Sequence, residues 1–137
     1  LPPRPLVPLE RARLALEIVA AYLVARRELR HASLDRVVEQ LRDPAEATAG
    51  GPRPAQIEEA RRLGRAVVRT FRFLPGDTRC LRRSLVVLQL LARRGIACRL
   101  VIGTRTDPDF LAHAWIESGG IPVLSPLDGS FGRLVEL

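Results

Sequence analysis

Between residues 9 and 29 apolar side chains recur at the spacing that lines one face of an α-helix: Leu14, Ile18, Ala21, Tyr22, Ala25 and Leu29. The preceding residues, 1–8, hold four prolines and read as an extended lead-in. Ser33 is placed to cap a short second helix carrying Leu34, Val37, Val38 and Leu41, and Asp43-Pro44 ends it. Small residues, glycine and proline make 44–54 a loop. Helical spacing resumes over 55–73 with Ile57, Ala60, Leu63, Val67 and Phe71, until Pro75-Gly76 stops it. Asp77 or Thr78 then caps a fourth helix running to Arg94, with Leu81, Leu85, Leu88 and Leu91 on one face and Gly95 at its end.

After that glycine the pattern changes. Residues 97–104 (ACRLVIGT) form a continuous β-favouring run and predict a core strand. Residues 112–118, the pair Gly119-Gly120 and residues 121–124 predict a hairpin, and 131–137 a last strand. If the two glycines are the whole loop, Ser118 faces Ile121 and His113 faces Pro126. Helices first and strands second indicate an α+β fold. One domain over residues 1–137 is expected, helical over about 9–73 and with its catalytic core over about 75–137.

Composition narrows the function classes. Apolar residues at 47% and charged residues at 27% are a globular balance. The net charge is +7, every basic residue is arginine, and the chain has no Lys, Met or Asn. Arginine clusters at 61–65, 79–83 and 93–94 favour acidic partners, although a solvated helix face explains them more simply. The pI of about 11.2 raises the question of nucleic acid, but only six aromatic residues are present and none interleaves with those three arginine clusters. No nucleic-acid partner is therefore expected. The uncharged run 18–25 is too short to span a bilayer, and no signal-peptide pattern is seen, so no membrane partner is expected either. Two cysteines without metal-type spacing suit a reducing cytoplasm and imply no metal site.

Two residues carry the candidate chemistry. Cys80 falls in the first turn of the fourth helix, where free N–H groups, the helix dipole and Arg79, Arg82 and Arg83 favour a thiolate. Its own N–H is placed to serve an oxyanion hole. A buried inert cysteine is the competing reading, and position alone leaves the two even. His113 breaks the tie, because a histidine inside the predicted strand Ala-His-Ala-Trp-Ile-Glu (112–117) contributes little to burial. A cysteine at a helix start and a histidine on a following strand are the two halves of a papain-type site.

The stretches Cys-Leu-Arg-Arg-Ser-Leu (80–85), Leu-Leu-Ala-Arg-Arg-Gly-Ile (90–96), Val-Ile-Gly-Thr-Arg (101–105) and Ala-His-Ala-Trp-Ile-Glu (112–117) resemble the transglutaminase-like leader peptidases of lasso peptide biosynthesis. The resemblance spans roughly residues 75–137. It implies a papain/transglutaminase-like core of one central helix packed on a small antiparallel sheet. It also implies a cytoplasmic cysteine endopeptidase that cuts the leader from a ribosomally made precursor, with Cys80 as nucleophile, His113 as base and Arg83 as a motif arginine beside the helix start. The implied partners are the precursor's leader, a separate leader-recognition protein and the lasso cyclase that closes the ring. No metal or organic cofactor is expected; some members of that family are linked to ATP, but no P-loop is present here.

The residue orienting His113 is open. The resemblance places an acid at the position that is Ser125 here, and the nearest acid is Asp128. A two-residue hairpin loop puts Asp128 on the His113 face and turns Ser125 away, while a bulge near Pro126 reverses this. Asp128 is the choice, against a plain turn Asp before Gly129. Trp115 and Glu117 share the His113 face. Glu117 lies about 13 Å away along the strand, too far to orient the ring. Trp115 either walls a substrate site or fills the core, with core favoured. Asp107 and Asp109 flank Pro108 in a loop, Cys98 reads as inert, and His31 reads as a surface residue. Three alternatives remain: an acyltransferase using the same pair, an inactive binding module, and a nucleic-acid binder.

Overall fold

The computed structural model describes residues 7–41, 53–73, 80–106, 111–124 and 132–137. Helices α1 (Pro8–His31), α2 (Leu34–Leu41), α3 (Pro54–Phe71) and α4 (Cys80–Arg93) precede strands β1 (Arg99–Arg105), β2 (Leu111–Ser118), β3 (Ile121–Pro122) and β4 (Gly132–Glu136). The α+β order read from the sequence holds. The expected helix-breaking segments at 43–52 and 74–79, with the Asp77 and Thr78 caps, lie outside the described residues.

The long helices start alike. Each has proline at its first position, where the missing N–H is no loss. In each, the side chain three residues past the cap returns to it: Val7 N–H donates to Glu10 Oε2 at 3.1 Å and Arg53 N–H to Gln56 Oε1 at 2.9 Å. Helix α4 ends as its glycine predicts. Gly95 takes φ 68°, its N–H donates to Ala92 O at 3.1 Å, and Ile96 N–H donates to Leu91 O at 3.0 Å, a Schellman closure.

Helix α4 is the axis of the molecule. The sequence pattern assigns it one apolar face, yet every residue from Ser84 to Ala92 is buried, because α1, α2, α3, β1 and β2 all pack on it. Burial of each of Leu85, Leu88, Leu90 and Leu91 contributes about 1.5–3 kcal/mol. Two polar residues, Ser84 and Gln89, lie in that run, and Gln89 donates from Nε2 to Ala21 O at 2.9 Å and so ties α4 to α1. Tyr22 and Phe71 meet edge to face at 5.4 Å, joining α1 to α3.

The sheet is antiparallel in the order β3-β2-β1-β4. Gly119 and Gly120 at φ 60° and 78° form the two-residue loop the sequence predicts, with Ser118 opposite Ile121. β3 is shorter than the expected 121–124, since Pro122 cannot donate to a ladder, although Val123 N–H still reaches Ile116 O at 2.8 Å. β4 pairs with β1, and the register steps from Val135 to Arg133 as β1 passes from Ile102 to Gly103. Leu134 is thus an extra residue, a bulge beside Gly103.

Helix α1 has a second apolar stripe facing away from the core. Leu9, Leu16 and Leu23, two turns apart, are 64%, 71% and 55% exposed. On its flank, Glu17 receives both guanidinium nitrogens of Arg94 at 3.0 Å, and Arg93 lies at 3.5 Å. Hydrogen bonding from Arg94 holds the Glu17 carboxyl below the ordinary glutamate value; partial burial opposes this, and the charges of Arg94 and Arg93 reinforce it. A lowered folded pKa stabilises above the unfolded pKa, and that contribution is lost as pH falls through the folded one. Glu17→Gln should therefore be less stable than the parent at neutral pH. Urea melts should show the difference vanishing in strong acid, and a constant difference would refute the linkage.

Candidate active site

Cys80 opens α4, is half-buried and packs against the core. Its sulfur accepts a hydrogen bond from the backbone N–H of Ala114 at 3.3 Å. That nitrogen belongs to the peptide bond that follows His113, so the start of α4 is fastened to β2 one residue from the histidine.

Alternation along β2 explains the contact. Ile116 O points toward β3, where Val123 N–H meets it, and a residue two positions away directs its N–H to the same edge. β3 ends before it reaches Ala114, and the Cys80 sulfur takes the place a longer strand would fill. The surroundings are positive: Arg82 and Arg83 are half-buried in the first turn of α4, which carries no acid, and the positive end of the helix dipole lies there as well.

His113 is half-buried, and its Cα partner on β1 is Gly103. Its ring stacks on the Trp115 indole with centroids 5.9 Å apart and planes 24° apart. Trp115 is 4% exposed, the core position favoured from the pattern. Its Nε1–H donates to Glu117 Oε2 at 2.8 Å, and Glu117 is itself 7% exposed. The carboxylate that is too distant to orient the imidazole directly is thus linked to it through the indole. The sequence reading missed this link, although a strand with Trp two residues before Glu carries its signal.

Gly103 was also missed. A Cβ built there would stand 2.7 and 2.8 Å from Trp115 Cη2 and Cζ3, and 3.1 Å from Gly132 O. The bare glycine leaves the space in which the indole lies, and the indole supports the histidine.

Asp128 and Ser125 lie outside the described residues, as do Asp107, Asp109 and Arg79. Cys98 is buried, and His31 is exposed at the end of α1, as expected. Among the described residues no cluster of His, Cys, Asp and Glu is arranged to hold a metal, and no described helix is long and apolar enough to cross a membrane.

A cysteine at the head of a central helix, fastened to an antiparallel strand beside a histidine, belongs to the α+β class of papain-like and transglutaminase-like folds. The family comparison agrees: residues 7–136 match the transglutaminase-like superfamily model, and the chain belongs to that superfamily, which includes cysteine proteases and acyltransferases. No match to a curated protein or to a solved structure accompanies it.

Proposed function

We propose that this domain is a cysteine endopeptidase that removes the leader from a ribosomally made lasso precursor peptide. The observation that carries the chemistry is the 3.3 Å bond from Ala114 N–H to the Cys80 sulfur, next to His113. His113 accepts the thiol proton, the sulfur attacks the scissile carbonyl, and the Cys80 N–H stabilises the oxyanion. Protonated His113 gives its proton to the leaving amine, and water then releases the leader from the thioester. Asp128 is the proposed orienting acid, and Arg83 is the proposed substrate-side residue. No cofactor enters the scheme.

The leader-specific part rests on the motif resemblance at 80–85, 90–96, 101–105 and 112–117. It is tested by mass spectrometry of a lasso precursor incubated with the protein and a leader-recognition protein. Cleavage between leader and core supports the proposal; an intact precursor beside efficient amine transfer to a glutamine peptide would favour an acyltransferase instead.

The same reading places the recognition partner, and the cyclase beyond it, in the cytoplasm. The exposed Leu9, Leu16 and Leu23 stripe supports a helical docking face for that partner. Leu16→Asp should then leave the melting temperature close to the parent's, since the side chain is 71% exposed. Precursor cleavage that depends on the partner should fall on the order of tenfold. An unchanged rate would remove α1 from the partner interface.

A further inference from the structure

An open groove of about 730 Å³ lies between α3 and residues 122–124, away from the Cys80–His113 pair but along the same sheet edge. Arg61, Arg65 and Arg69 of α3 and Arg72 just past its end line it, with Val68, Pro122, Val123 and Leu124 supplying apolar surface. Its wall is closely fitted: a Cβ on Gly64 would stand 2.7 Å from Val123 O, so the glycine lets α3 lie directly on this segment. Arg61 has a loose contact with Glu58 at 3.7 Å. Arg65, Arg69 and Arg72 are exposed, and no carboxylate among the described residues pairs with them.

From this groove we infer that the protein takes substrates with a stretch of alternating acidic and apolar residues, bound in extended form and led to Cys80. Residues four apart on a helix advance about 6 Å. Alternate side chains of an extended peptide advance about 6.6 Å. Arg61, Arg65 and Arg69 therefore match three successive acids on one face of such a peptide, while its other face meets Val68, Val123 and Leu124.

The groove also leads to the right place. Val123 N–H bonds to Ile116 O, and Ala114, which holds the sulfur, is two residues further along β2 in the direction of Leu124. That step is about 6.6 Å, so a peptide passing the Leu124 end reaches the sulfur within a few residues. A single-stranded nucleic acid also carries regular negative charge. The described residues lining the groove, however, include no aromatic ring on which a base stacks.

The inference deepens the peptidase reading and depends on it only for what happens at Cys80. Binding is read first, by fluorescence anisotropy, with the Cys80→Ala protein and a short labelled peptide of alternating Glu and Val. Tight, salt-sensitive binding is expected, weakened on the order of ten- to a hundred-fold by Arg65→Glu with Arg69→Glu and for a Gln-for-Glu peptide. The neutral pair Arg65→Gln with Arg69→Gln, checked by circular dichroism, separates lost recognition from lost folding. Equal binding of the Glu and Gln peptides, or tighter binding of a labelled single-stranded oligonucleotide at the same salt, overturns the inference. Cleavage of the precursor by the parent with a KM unaffected by the arginine changes overturns the groove and leaves the peptidase standing. Groove-dependent binding without any cleavage upholds the groove and defeats the peptidase.

Discussion

Replacing Cys80 by alanine should lower precursor cleavage by a factor on the order of 10³ or more, to the level of the uncatalysed background. The sulfur is the sole group in the proposed scheme that bonds covalently to substrate, and nothing in the alanine side chain substitutes for it. The fold should survive, because the change costs the Ala114 N–H one acceptor at a half-buried position, worth about 1 kcal/mol. An unchanged circular dichroism spectrum beside lost cleavage is the expected result. Retention of more than a small fraction of the parent rate would mean that Cys80 is a structural residue.

The second large effect is expected at Gly103. A methyl group there would meet the Trp115 ring at 2.7 and 2.8 Å, with Gly132 O at 3.1 Å on another side, so the indole has to move. Overpacking of this kind costs about 1–3 kcal/mol. Because the indole stacks on His113 and bonds Glu117, its displacement should also misplace the imidazole. Gly103→Ala is thus expected to melt at lower denaturant and, where still fully folded, to cleave more slowly. Trp115 is the sole tryptophan, so its fluorescence reports the shift directly. A variant with parent-like fluorescence, stability and rate would show that the indole does not support the site.

Much of this arrangement is legible in the chain. Regular apolar spacing marks all four helices to within a few residues, and Gly95 marks the end of α4. The Gly119-Gly120 pair fixes the β2–β3 register, since both residues need a positive φ in a two-residue loop. The location of Cys80 at a helix start follows from local signals, and so does that of His113 on a strand.

What escapes the sequence depends on tertiary contact. The run from Ser84 to Ala92 is buried all round because neighbours surround it, which one-face periodicity does not reveal. β4 joins β1 rather than β3, a choice between sheet edges that strand patterns leave open. The α3 arginines look like a solvated face until Gly64 brings them against Val123 and Leu124. Gly103 reads as a weak point in a strand until the indole is seen to occupy its missing side chain.

The pairing of sulfur and imidazole is tested most directly without any substrate, by timed iodoacetamide labelling and peptide mass mapping. Cys98, buried at 8% exposure, is the internal control. In the parent at neutral pH, Cys80 should be alkylated on the order of ten times faster than Cys98, and His113→Ala should slow Cys80 alone by a similar factor. Equal labelling of Cys80 in the parent and in His113→Ala would contradict the pairing.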